Sequence, residues 1–265
     1  MPFIEHRYAT GPTTATLLML LCLTMAPGAW AQAPETPAPA RLSDLWLDQP
    51  ALPAEPGYAY YLRQQHRDTL PFQAMRLEEE LRTVADRLAM AGQGHAASGV
   101  SAWRETLEAH QATDGRTPAR ADLAALLASP RHDPPLSSLA EVGHCEMPDW
   151  VELWSFDGVT RHSWTPDMGL QRLLRDQPRD HRHPAEAAWV VSPQSPPRRI
   201  GTSAWNAGDT PLVPGSRITL EVPIDDRAAD WINQALPAYL STRLPGEACT
   251  TLPLPDDHSQ AAASS

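Results

Sequence analysis

From Trp150 onward the apolar residues stop recurring at helical spacing and begin to alternate, and this change of period constrains the fold more than any other feature of the chain. The runs WVELWSF and VTRHSW read as two strands joined by Asp157-Gly158, a dipeptide suited to the positive-φ positions of a tight hairpin turn. A short helix is expected next, with Thr165 as cap, Pro166 in the first turn, and Leu170, Leu173 and Leu174 on one face. Strand-like runs resume at 187–192, 198–204 and 217–222. In the last of them Ile218, Leu220 and Val222 alternate with Arg217, Thr219 and Glu221, the pattern of a strand with one wet face. Strand, strand, helix, strand, strand, strand is the order of an α+β domain of β-grasp type, in which one helix covers one face of a small mixed sheet.

The first half keeps the helical period. In RLSDLWL, Leu42, Leu45 and Trp46 fall on one helical face, and the proline-rich stretch 50–57 stops the helix. Thr69 and Pro71 fit an N-cap and an early helical proline, after which Leu77, Leu81, Val84, Ala85 and Leu88 share a face. A second helix over 99–110 aligns Val100, Trp103 and Leu107, so the two read as a helical hairpin over about 70–112, with 92–99 as its turn. The run Glu78-Glu79-Glu80 reads as the solvated side of the first helix. A closing amphipathic helix is expected over 224–244, capped by Asp225 or Asp226, carrying Ile232, Ala235, Leu236, Tyr239 and Leu240 on one side, and kinked or split by Pro237.

The N-terminus predicts export. Arg7 precedes the apolar run ATLLMLLCLTMA, and Ala29-Trp30-Ala31 supplies small residues at both recognition positions of a signal-peptide cleavage site. The run is shorter than the roughly 18 to 20 residues needed to span a bilayer, and Leu21 before Cys22 does not suit a lipoprotein site. The expected organisation is therefore a signal peptide over 1–31, a proline-rich linker over 32–40, domains over 41–145 and 146–223, the closing helix, and a disordered tail over 245–265 that ends in SQAAASS. Cleavage would leave Cys145 and Cys249 as the only thiols in an oxidising compartment, and a disulfide between them is the natural expectation.

Chemistry-bearing motifs are sparse. The formal charge is −11 and all 21 basic residues are arginine, so there is no lysine tail or basic stripe to neutralise phosphates, and nucleic acid is not an expected partner. GxSxG, HExxH, a glycine-rich phosphate loop, CxxC pairs and the dinucleotide fingerprint are all absent, so no catalytic residues are assigned. His181-Arg182-His183 with His162 or Asp180 is the best metal candidate, but such a stretch is more often a solvated loop, and no metal or cofactor is expected. His144-Cys145 as base and nucleophile is weaker still, because an oxidised thiol attacks nothing. The second half holds Trp150, Trp154, Trp164, Trp189 and Trp205, which in a small β domain are mostly packing residues. Trp205 is the exception: if Ile200, Thr202 and Ala204 face inward, it emerges with Arg199 and Ser203 on the other face, which makes Trp205 and Arg199 the candidate binding residues.

The stretch AAWVVSPQSPPRRIGTSAWN, then PGSRITLEV and a closing helix with WINQAL, resembles the capsule biosynthesis GfcC family. The most specific pieces are Ala188-Trp189-Val190-Val191, Trp205-Asn206, Pro214-Gly215-Ser216 and Asn233, and the hairpin and GRTPARADL sit where that family carries a comparable hairpin and a Gly-Arg segment. The resemblance implies a periplasmic protein of two β-grasp, SLBB-like domains, the first with an inserted helical hairpin and here incomplete, because only a linker precedes RLSDLWL. It further implies a non-enzymatic role in assembly or export of capsular polysaccharide or exopolysaccharide. The expected partners are the polysaccharide export machinery, including an outer-membrane channel, and the polysaccharide itself. A stand-alone carbohydrate-binding protein and a polysaccharide-modifying enzyme are the alternatives.

Overall fold

The computed structural model describes residues 41–111, 115–177, 185–202 and 209–254. The expected signal peptide, the linker, Trp205, His181, His183, Asp180 and the terminal SQAAASS lie outside the described residues. The fold is α+β, with six α-helices and two sheets among those residues.

Helix α1 (Leu42–Leu47) buries Leu42 and Trp46, and the indole Nε1 of Trp46 donates to the Ala121 carbonyl at 2.7 Å. Strand β1 (Ala59–Arg63) leads into the hairpin of α2 (Gln64–Met90) and α3 (Gly94–Gln111). Helix α2 begins before the expected cap. The Thr69 hydroxyl donates back to the carbonyls of Gln65 and His66, as a threonine inside a helix does, and the amide missing at Pro71 would face the carbonyl of exposed Arg67. The turn is likewise shorter than 92–99: Gly92, at φ 77°, closes α2, and α3 already starts at Gly94. After α4 (Leu123–Ala128) comes β2 (Leu139–Cys145).

The region expected to be β-rich forms β3 (Trp150–Ser155), β4 (Gly158–Ser163), α5 (Leu170–Arg175), β5 (Ala187–Val191), β6 (Arg198–Gly201) and β7 (Arg217–Leu220). Two local expectations shift. Ser155 pairs with Gly158, so the turn is Phe156-Asp157, one residue early, and Gly158 takes its φ of 106° as the first residue of β4. Gly169, not Thr165, is the N-cap of α5, and its side-chain-less cap makes no hydrogen bond. Helix α6 (Arg227–Leu240) starts as expected, with the Asp226 carboxylate accepting from the Ala228 amide at 2.8 Å. It runs unbroken past Pro237, which falls in its last turn. It is not the final element: β8 (Cys249–Leu252) follows, inside the stretch expected to be a disordered tail.

The larger sheet has the order β4-β3-β7-β5-β6, with β3 and β7 parallel at its centre and the other pairs antiparallel. The smaller sheet is β1-β2-β8, all antiparallel. Cys145 and Cys249 sit opposite each other on β2 and β8 and are disulfide-bonded, as expected. Because β8 comes from the end of the chain, the first sheet is not closed within 41–145.

The helical hairpin, expected to belong to the first half, shares its core with the larger sheet. Leu77, Leu81, Val84 and Leu88 of α2 and Val100, Trp103 and Leu107 of α3 join Val151, Leu153, Ile218, Leu170 and the Ile232, Leu236, Leu240 face of α6 in one buried cluster. Burying each such side chain contributes roughly 1.5 to 3 kcal/mol. Trp103 is the centre of the contact, donating to the Ser155 carbonyl at 2.6 Å and lying 6.4 Å from the Trp154 ring and 5.6 Å from Phe156. The approach is close enough to need Gly99, where an added Cβ would sit 2.1 Å from the Phe156 carbonyl oxygen. Gly99→Ala should therefore destabilise the protein by about 1 to 3 kcal/mol despite alanine's better helix propensity. A urea titration that leaves the midpoint unchanged would show that α3 does not hold this position. The smaller sheet has its own cluster, with Leu42, Trp46, Tyr61, Leu126, Leu139 and Val142 on one side and Tyr58, Tyr60 and Cys145 in another.

Candidate binding clefts and a buried charge layer

Of the two candidate binding residues, Arg199 is described. It stands on β6, the terminal strand of the larger sheet, opposite Trp189. Its guanidinium is engaged: Nε and Nη2 donate to Glu221 Oε1 and Oε2 at 2.6 and 2.7 Å, and Trp189 Nε1 donates to the same carboxylate at 3.1 Å. Arg199 thus belongs to a neutralised, exposed pair on the sheet face and offers no free cation. Trp150 and Trp154 are buried, and Trp164 is half-buried with its Nε1 donating to the Leu212 carbonyl, so these rings act in packing.

Strand alternation and register place Trp150, Glu152 and Trp154 of β3 on the same face as Arg161 of β4 and Arg217 and Thr219 of β7. This face was expected to be wet at β7. Instead Arg217 is 7% and Thr219 2% exposed, because α3 lies over it: the His110 and Trp103 rings both contact Trp154. The result is a buried charge layer. Glu152, 2% exposed, accepts from Trp154 Nε1 at 2.8 Å and Arg161 Nε at 3.1 Å, and Arg217 Nε stands 3.5 Å away at ion-pair distance. Arg217 Nη2 also donates to the Leu244 carbonyl, and Arg161 reaches Glu247 at 2.5 Å. The guanidinium carbons of Arg161 and Arg217 lie 4.4 and 5.5 Å from the Trp150 ring centre. Burial alone would raise the Glu152 carboxyl, but Arg217, the Trp154 hydrogen bond, His110 and Arg161 together hold it below its ordinary range. Burial pushes His110 below its ordinary value, opposed by the Glu152 carboxylate and reinforced by the nearby arginines. Sequence reasoning missed this layer, although the Glu152–Arg161 pairing follows from the hairpin register once the turn is placed.

Among the clefts on the described surface, one of about 590 Å³ beside β4 and α5 is lined by Arg161, His162, Arg172 and Asp176, and two others border α6. The first of these two, of about 370 Å³ between α2 and α6, is lined by His66, Gln73, Arg76, Trp231 and Tyr239, with the Arg76 guanidinium 4.5 Å above the Trp231 ring. The second and larger, of about 690 Å³, lies among α4, the end of α6 and the turn after β5. Its lining includes Arg116, Arg120, Ser129, His132 and the prolines at 193, 196 and 197, and contains no Asp or Glu. Neither cleft was anticipated: Trp231 reads in the sequence as one residue of an amphipathic helix, and Arg116 enters only in GRTPARADL, the segment compared with the family's Gly-Arg segment.

Catalytic and metal candidates gain no geometry. Cys145 is committed to its disulfide, so the pair His144-Cys145 has no free thiol. His162 shares a hydrogen bond with Thr160, and among the described residues no group of three or more His, Cys, Asp or Glu is arranged to hold a metal ion. No helix among them is long and apolar enough to cross a membrane. No protein-family model and no curated protein matches the chain.

Proposed function

We propose that this chain is a non-enzymatic periplasmic protein that supports assembly or export of a capsular polysaccharide or exopolysaccharide. The observation that carries the reading is the larger sheet. Its order β4-β3-β7-β5-β6, with the first and last strands parallel at the centre and α5 in the connection, supports a β-grasp unit of the kind the resemblance implies. The Cys145–Cys249 bond fits an oxidising compartment, and the signal-like N-terminus gives the route to it. Fold alone does not carry function, so the role must come from surfaces that contact the export machinery or the polymer. An in-frame deletion should lower surface or secreted polysaccharide while leaving intracellular sugar-nucleotide precursors present. A deletion strain with normal polysaccharide under conditions where the parent expresses the gene would overturn the reading.

A second reading, a carbohydrate-binding protein acting alone, is favoured by the cleft that holds Trp231 and Arg76, since an indole beside a guanidinium suits a sugar ring. Normal polysaccharide export in the deletion strain, together with glycan binding by the isolated protein, would support it over the first.

A further inference from the structure

We propose that the cleft floored by Arg116 binds the carboxylate of an acidic saccharide, an inference that rests on the polysaccharide reading above. Arg116 is 5% exposed. Its Nε donates to the Ser241 carbonyl at 3.0 Å and its Nη1 to the Pro193 carbonyl at 2.9 Å, both neutral acceptors. Among the described residues Nη2 has no hydrogen-bond partner, and no carboxylate lies at ion-pair distance. Burial, and secondarily the repulsion of Arg217, brings its pKa down to about 10, which leaves the guanidinium charged at neutral pH. A buried cation without a counter-ion is costly, and binding sites are where proteins keep such groups.

The surroundings define the ligand. In a chain with a net charge of −11, no acidic side chain among the described residues lines this cleft, and its second arginine, Arg120, is already neutralised by Asp122 at 2.5 Å. One uncompensated positive charge matches a monoanion, which favours a carboxylate over a phosphate dianion. The walls alternate proline rings at 193, 196 and 197 with Ser129, His132 and Gln194, so C–H faces and hydroxyl groups of a saccharide both find contacts. A uronic acid unit within a glycan chain meets all three conditions. The bland reading is that Arg116 only ties the end of α6 to the turn after β5, and a test must separate the two.

The oxidised full chain would be titrated calorimetrically with tetragalacturonate and tetramannuronate, their methyl esters, maltotetraose and the tripeptide Ac-Ala-Pro-Ala. We expect one salt-sensitive site for at least one uronate, with its ester, which keeps the shape and loses the charge, weaker by roughly thirtyfold or more. Arg116→Gln should abolish the difference between acid and ester, which a merely structural arginine would not set. Ala128→Trp, at an exposed position in the cleft, should block binding at an unchanged melting temperature, and it keeps the test decisive if Arg116→Gln does not fold. Equal affinity for acid and ester, no binding of either uronate, an unaffected Ala128→Trp variant, or tighter binding of the tripeptide would each overturn the proposal. The deletion phenotype judges the export reading separately, since a strain can lose its polysaccharide although the purified protein binds no uronate.

Discussion

Replacing Cys145 and Cys249 together by alanine should lower the stability of the folded chain by about 4 to 5 kcal/mol, the chain-entropy value for a cross-link closing a loop of this size. The bond spans 104 residues and so encloses the larger sheet, α5 and α6. Its effect on β8 should be greater than on the rest. That strand pairs with β2 at only four positions, and its side chains are exposed or half-buried, so few apolar contacts hold it. Urea titration of the oxidised protein and the double variant, read with hydrogen exchange over 245–254, would test both parts. The variant should lose amide protection in β8 at denaturant concentrations where the larger sheet is still folded. A midpoint shift worth less than about 1 kcal/mol would mean that the unfolded chain is already compact enough for the cross-link to remove little entropy.

What could be read in advance follows from where each element gets its stability. Helices α2 and α3 were legible because their buried residues repeat at helical spacing over many turns, and the larger sheet because its strands alternate and are flanked by turn residues. The smaller sheet was not. In β1, AYYLR, four consecutive residues are buried, with Ala59 and Tyr61 in one cluster and Tyr60 in the other, so the alternation that marks a half-wet strand never appears. Strand β8 has a weak apolar pattern and is held by its partner strand and its disulfide, neither of which leaves a local signal.

The candidate site was less legible than the fold for a related reason. Burial of a charged residue is a property of what packs on it, and in sequence Arg217 and Thr219 look like the solvent side of a strand. Only the placement of α3 over β3, through Trp103 and His110, turns that face inward. Arg116 is hidden in the same way: its two carbonyl partners, Ser241 and Pro193, are 125 and 77 residues distant in the chain. The disulfide could be anticipated because compartment chemistry, rather than local pattern, predicts it.

Glu152 should be the most sensitive charged position in the protein. Among the described residues it is the carboxylate buried with Arg217, Arg161 and the Trp154 indole, and removing it leaves Arg217 desolvated with the Leu244 carbonyl as its remaining acceptor among them. Breaking a buried ion pair from one side typically costs about 3 to 5 kcal/mol, so Glu152→Ala should fall in that range, whereas Arg199→Ala at the exposed Glu221 pair should cost about 1 kcal/mol or less. The same layer sets an acid response. The folded-state pKa of Glu152 and that of His110 are both depressed, so each contributes stability that is present above its unfolded value and is lost as pH falls through its folded value. Stability should therefore begin to decline below about pH 6.5, where the unfolded state takes up a proton at His110, and decline further below about pH 4.5 as the Glu152 carboxylate of the unfolded chain protonates. His110→Asn should reduce the first decline, leaving the part set by His162, whose pKa burial likewise lowers, and should leave the second. Urea midpoints measured across this range on the parent and all three variants would decide the matter. A parent protein whose stability rises on acidification, or a Glu152→Ala variant as stable as the parent, would show that the arginines of the layer are neutralised by other groups.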